Sequence, residues 1–145
     1  MPYEEAVAEF HRAFGVQQKD SSSAALRDVL RTRAVLVAEE FIEVQDALAS
    51  LTTASQHNAW PAEEWENLAK ELADLLYVVF GTADLLGIPM ARVFEVVHRS
   101  NMSKLGEDGK PIYREDGKVL KGPNYQPADL SEIVDWLNGY RLVGV

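Results

Sequence analysis

The stretch AEEFIEV, residues 38–44, places three glutamates within little more than one helical turn. At 3.6 residues per turn, Glu40 and Glu43 lie about 60° apart around a helix, and Glu39 and Glu43 lie about 40° apart. All three side chains therefore border one patch of the helix surface. Like charges held this close repel one another, so such a patch is stable only beside a compensating cation.

A second acidic stretch, KELAD, follows at residues 70–74. Glu71 and Asp74 are again three residues apart, and we expect a second helix to carry them on the side that packs inward. They stand among four leucines: Leu68, Leu72, Leu75 and Leu76. Carboxylates that are simply solvated would not need to stand among leucines on the inward side of a helix.

Five carboxylates from two helices suit a hard divalent cation, because Mg²⁺ and Mn²⁺ take oxygen ligands and offset charges that are otherwise costly to bring together. Di-iron sites in helical bundles use Glu-x-x-His instead. Here the third residue after Glu40 is Glu43, and the third after Glu71 is Asp74, so Mg²⁺ is favoured, with Mn²⁺ as a substitute. The alternative is that all five acids are simply solvated, which is the ordinary explanation for a single Glu-x-x-Glu.

On both sides of these stretches, apolar residues recur with the period of an α-helix. The sequence therefore predicts an all-α fold. Apolar spacings, proline or acidic starts and glycine stops predict helices over 3–14, from serines 21–23 to about 50, from 61 to about 86, and from 89 to about 106. Residues 106–124 contain two Asp-Gly pairs, which predict a short hairpin or ordered loop. A last short helix is expected around Ile133, Trp136 and Leu137.

Length and composition bound the class of protein. The 145 residues, 47% hydrophobic and 26% charged, are typical of one globular domain spanning 1–145. The absence of cysteine excludes disulfides and thiolate chemistry and fits a cytoplasmic location. No apolar run approaches the roughly 20 residues that cross a bilayer. The net charge of -9 argues against nucleic-acid binding, so we expect neither a membrane nor a nucleic acid as partner.

One segment departs from this acidic balance. Residues 98–126 carry six lysines or arginines against four acids, a local charge of +2 in a chain whose net charge is -9. A solvated hairpin would explain this excess without any function. The alternative is that cations and a polyanion meet there.

These motifs together resemble the all-α nucleoside triphosphate pyrophosphohydrolases, the superfamily of MazG, the dimeric dUTPases and phosphoribosyl-ATP pyrophosphohydrolase. EEFIE followed by KELAD is similar to their Glu-Glu-x-x-Glu and Glu-x-x-Asp motifs. The segment HRSNMSKLGEDGKPIYREDGKVLKGPNYQPADL, residues 98–130, looks like the C-terminal part of the short single-domain MazG-like members. The resemblance covers roughly residues 5–131 and implies a MazG-like helical bundle completed by oligomerisation.

The resemblance implies hydrolysis between the α and β phosphates of a nucleoside triphosphate. Carried over by position, Glu39 would orient or deprotonate the attacking water. The implied metal ligands are Glu40, Glu43, Glu71 and Asp74. The implied contacts to the substrate lie in the basic segment, where Lys104, Lys118 and Lys121 would meet phosphate, Arg114 and Asn101 would assist, and Tyr125 is one of several aromatic candidates for base stacking.

The expected assembly is a homodimer, because two long and two short helices leave apolar stripes that one chain does not cover. Some relatives implied by the resemblance form tetramers. The favoured substrate is dUTP, giving dUMP and pyrophosphate, because short MazG-like forms resemble house-cleaning enzymes. Phosphoribosyl-ATP is the alternative substrate, although stand-alone histidine-biosynthesis enzymes usually lack the extended segment at 106–123. A non-catalytic helical regulator or nucleotide sensor is the alternative from another class.

Overall fold

Four helices make up most of the computed structural model, which describes residues 2–16 and 23–135. They are α1 (Tyr3–Phe14), α2 (Ser23–Gln56), α3 (Ala62–Leu86) and α4 (Met90–Met102). Within the described residues the β-structure amounts to one isolated antiparallel bridge, between Tyr113 and Val119. The all-α prediction is therefore confirmed, and the bridge lies within the predicted hairpin or ordered loop.

Local signals set most of the helix ends. Proline precedes α1, α3 and α4, where its fixed φ and missing N–H suit the start of a helix. Gly15 and Gly87 follow α1 and α3 in the left-handed conformation, with φ of 66° and 67°, and their N–H groups cap the last carbonyls. These two stops are where the sequence predicted them.

Helix α2 is longer than predicted. We expected it to end near Ser50 because the polar stretch TTASQ breaks the apolar period, but it continues to Gln56 over 34 residues. The hydroxyls of Thr52 and Thr53 donate to the carbonyls of Leu48 and Ala49, at 2.7 and 3.0 Å, so these polar side chains bond within the helix. In contrast, α4 ends at Met102 and not near residue 106.

The chain divides into two compact units, Met1–Gly87 and Ile88–Val145. In the first unit α3 packs against both α2 and α1. Its small apolar core contains Ala47 and Leu51 from α2 and Leu68 from α3. Among the described residues of this unit, the polar residues His11, Arg33 and Glu71 are also buried, with 5%, 8% and 7% of the residue surface exposed.

A partly buried polar network joins the three helices of the first unit. His11 Nδ1 lies 2.6 Å from a carboxylate oxygen of Asp84. Arg33 donates from Nε to the Thr82 hydroxyl at 3.0 Å and from Nη2 to the Val78 carbonyl at 2.7 Å. Gly81 makes room for this network, since a Cβ there would lie 2.8 Å from Arg33 Nη2.

Much of the predicted apolar stripe is exposed in the single chain. We expected Leu72 and Leu76 to pack inward around the second acidic stretch, but they are 45% and 49% exposed. On α2, Phe41 and Leu48 are exposed to a similar degree. The buried side of α3 is instead marked by Leu68 and Glu71.

The second unit contains α4, the loop around the Tyr113–Val119 bridge, and the helical residues 131–135. Ile133 is buried, as the predicted last helix requires, while Trp136 and Leu137 lie outside the described residues. The loop returns to the end of α4 at Gly122, whose N–H donates to the Lys104 carbonyl at 2.9 Å.

No single helix in the described ranges is long and apolar enough to cross a membrane. Only α3 and α4 taken together, as a bent pair, reach the necessary length and hydropathy.

Candidate metal centre and substrate segment

Three of the five predicted acids converge between α2 and α3. Glu40, Glu43 and Glu71 each present a carboxylate oxygen, and these oxygens lie within 4.8 Å of one another. Three anionic oxygens this close are a suitable donor set for a hard divalent cation such as Mg²⁺ or Mn²⁺. The residues present therefore fit the metal that the sequence predicted.

The three carboxylates differ in burial. Glu71 is buried, Glu40 is half-buried and Glu43 is exposed. Glu71 lies on the same face of α3 as buried Leu68, one turn earlier, so helix packing fixes it beside the apolar core. Burying a carboxylate is costly unless a cation or hydrogen bonds compensate its charge.

The neighbouring acids of the cluster raise the pKa of Glu43. A hydrogen bond with Glu71 raises the pKa of Glu43 above its ordinary value, and the negative charges of Glu40 and Glu71 raise it further. The nearby Lys70 ammonium opposes this shift but does not cancel it. Positive charge beside the cluster, from a proton or a cation, would relieve this repulsion.

Asp74 lies beside the cluster rather than among its converging oxygens. Its carboxylate accepts a hydrogen bond from Lys70 Nζ at 2.8 Å, and the same ammonium lies 3.1 and 3.2 Å from the two oxygens of Glu71. The pKa of Lys70 is raised by Asp74 and then by Glu71. The assignment of Asp74 as a metal ligand remains a prediction.

Glu39 is exposed on α2, next to Glu40 and outside the group of three. Its predicted role as the group that orients or deprotonates water also remains a prediction. Sequence reasoning gave no role to Lys70, although its spacing to Asp74, four residues on the same helix, is typical of an ion pair.

In the second unit, two predicted substrate contacts already have partners. Lys104 Nζ donates to the Asn101 side-chain oxygen at 2.7 Å, and Lys121 Nζ lies over the Tyr125 ring, 4.3 Å from its centre. The backbone bond from Gly122 to Lys104 brings the end of α4 beside the segment that carries Lys121. Four of the six predicted contacts therefore belong to one part of the second unit.

Arg114 and Lys118 form a separate group at the loop tip. The Arg114 guanidinium pairs with Asp116, which lowers the pKa of that carboxyl. The backbone N–H of Arg114 donates to the Lys118 carbonyl at 2.8 Å, closing the turn. Because its charge is already paired, Arg114 is a weaker candidate for a phosphate contact than the lysines.

Comparison with known proteins identifies relatives of this chain. The sequence profile of the phosphoribosyl-ATP pyrophosphohydrolase family matches residues 7–101, about two thirds of the chain, including all five predicted acids. One similar solved structure is that of a proposed NTP pyrophosphohydrolase from Exiguobacterium sp. 255-15, with 25% identity and a TM-score of 0.42, covering 99% of this chain and 95% of the other. A comparison with curated proteins found no match.

Proposed function

The chain belongs to the phosphoribosyl-ATP pyrophosphohydrolase family, and from this premise we propose that it is a metal-dependent nucleoside triphosphate pyrophosphohydrolase that releases pyrophosphate and a monophosphate. One observation carries the proposal. Within the matched segment, oxygens of Glu40, Glu43 and Glu71 converge to within 4.8 Å. A cluster of this kind binds the divalent cations that phosphoryl chemistry requires.

The proposed cation is Mg²⁺, with Mn²⁺ as a substitute, held by Glu40, Glu43 and Glu71, with Asp74 as a fourth ligand once Lys70 has moved away. When bound, such a cation neutralises charge on the phosphate oxygens. Glu39 is proposed to accept the proton of the attacking water at a carboxylate oxygen. The water oxygen bonds to the α phosphorus, the bond from that phosphorus to the oxygen bridging the α and β phosphates breaks, and pyrophosphate leaves.

The second unit is proposed to supply cationic contacts to the phosphates. Lys104 and Lys121 are the favoured residues, because the bond from Gly122 to the Lys104 carbonyl holds their segments together. Asn101 orients the Lys104 ammonium, and the Tyr125 ring supports that of Lys121. Lys118 is an exposed further candidate on the loop.

The proposed substrate is dUTP, which the resemblance to short MazG-like proteins favours. The family match supports phosphoribosyl-ATP as the second candidate, because the matching profile is that of phosphoribosyl-ATP pyrophosphohydrolase. Both substrates present a triphosphate with an α–β bond, so the same acids would serve either reaction. They differ in the base and sugar that the enzyme must recognise.

We further propose that the chain works as a homodimer. The single chain leaves large apolar side chains about half exposed on both helices that carry the acids, including Phe41, Leu48, Leu72 and Leu76. Apolar surface on this scale is typical of a subunit interface. A second copy packing on these helices would complete the four-helix arrangement.

The test is a pyrophosphate-release assay with Mg²⁺ or Mn²⁺ across the canonical triphosphates, dUTP and phosphoribosyl-ATP. Wild type is compared with Glu43→Ala and with Asp46→Ala, a matched loss of an exposed acid one turn further along α2. We expect release from one or a few substrates, lost in the first variant and kept in the second. Silence on every substrate would contradict an enzymatic role and favour the non-catalytic regulator.

A further inference from the structure

The Lys70 ammonium contacts two carboxylates that a metal ion would need as ligands. Its ammonium lies 2.8 Å from Asp74 and 3.1 and 3.2 Å from the two oxygens of Glu71. Both oxygens of the most buried acid are thus already in contact with a positive charge. We propose that Lys70 is a built-in counter-cation that competes with the divalent cation for Glu71 and Asp74, and thereby sets the metal concentration at which the site fills.

The competition follows from charge and geometry. A divalent cation bound through Glu71 would lie within a few ångströms of the Lys70 ammonium, and the two positive charges would repel each other. Mg²⁺ and Mn²⁺ also bind oxygen at shorter distances than an ammonium does, so one carboxylate oxygen does not serve both cations equally well. Filling the site therefore requires Lys70 to leave.

Lys70 is the partner that is able to move. Its side chain is 63% exposed, whereas that of Glu71 is 10% exposed and held at the packed face of α3. A lysine has a flexible four-carbon stem and a strongly hydrated ammonium, so it exchanges from protein to solvent contacts at small cost. In the metal-free protein the same ammonium compensates the buried charge of Glu71.

This inference rests on the proposed metal site, and its test measures metal binding rather than turnover. Mn²⁺ binding to the full chain is followed by the loss of the free-ion signal in electron paramagnetic resonance, at low ionic strength. The variants are Lys70→Met, Lys70→Arg and, as a matched loss of one exposed cation, Arg31→Met on α2. Circular dichroism checks that each variant keeps its helices.

We expect Lys70→Met to bind Mn²⁺ roughly 3- to 10-fold more tightly than wild type. This factor corresponds to the Coulomb repulsion between Mn²⁺ and an ammonium about 5 Å away in water, reduced by salt. Lys70→Arg and Arg31→Met should stay within about twofold of wild type. Unchanged or weaker binding by Lys70→Met, with wild-type binding that is lost in Glu43→Ala, would overturn the competition and leave the metal site standing. Absence of binding in both wild type and Lys70→Met would overturn the site and the competition together.

Discussion

Replacing Gly81 by alanine should have two opposing effects on the stability of the first unit. The added methyl group favours the helix, but it crowds two neighbouring side chains. A Cβ there would lie 2.8 Å from Arg33 Nη2 and 3.2 Å from His11 Nε2, closer than ordinary contact. Neither side chain withdraws freely, because Arg33 donates to Val78 at 2.7 Å and His11 is bound to Asp84 at 2.6 Å. We therefore expect Gly81→Ala to destabilise the first unit, although alanine favours a helix.

The magnitude follows from three contributions. Replacing glycine by alanine inside a helix stabilises it by about 1 kcal/mol. Overpacking costs about 1–3 kcal/mol, and weakening a hydrogen bond from a charged donor costs about 1.5–3 kcal/mol when the bond is lost completely. The net expectation is a loss of about 1–3 kcal/mol in the free energy of unfolding.

Urea unfolding followed by far-UV circular dichroism, at one protein concentration, measures this loss. A double-mutant cycle with Arg33→Met sharpens the test, because methionine keeps an apolar stem but lacks the guanidinium. In that background Gly81→Ala should cost less, because only the longer contact, to His11 at 3.2 Å, remains. The reasoning is refuted if Gly81→Ala is as stable as wild type, or if its cost is the same in both backgrounds.

Three further expectations concern the site itself. Glu71 and Glu40 raise the pKa of Glu43 above its ordinary 4.5, so at pH values just above 4.5 the folded chain holds more protons than the unfolded chain. The stability of the metal-free protein should therefore fall as pH rises through this pH range. In thermal melts with EDTA, Glu43→Gln should remove that part of the dependence of melting temperature on pH. Lys121→Ala should raise the Michaelis constant for the triphosphate while leaving the melting temperature nearly unchanged, whereas an unchanged constant would make this lysine an ordinary surface charge. Ca²⁺ should support nucleotide binding better than turnover, since its coordination is larger and less rigid, and equal turnover with Ca²⁺ and Mg²⁺ would count against the proposed site.

The sequence predicted features that depend on neighbouring residues. Gly15 and Gly87 stop helices through their own backbone conformation, and Pro61 starts one, so these ends required no tertiary information. The convergence of Glu40 with Glu71 was also predictable as a placement on two helix faces. The end of α2 was not, because threonine hydroxyls can bond to their own helix or compete with it.

Features that join distant residues were missed for a different reason. Nothing near His11 in the sequence indicates Asp84, which lies 73 positions away and is its partner in the fold. The need for glycine at position 81 depends on Arg33, on another helix. The role of Lys70 depends on which way a flexible side chain turns, and its local spacing permits an ion pair without requiring one. Leu72 stands in the apolar period of α3 and is nevertheless 45% exposed, so the period alone does not determine burial.

The three acids of the cluster stand within long helices, so their backbone positions stay close together as long as α2 and α3 are folded. A screen for heat resistance alone, carried out with a chelator, would reward neutral residues at Glu40 and Glu43, because each replacement removes a negative charge that lies close to the others of the cluster. Gene copies that remain under selection for folding but not for activity should therefore lose these acids early and gain stability as they do so.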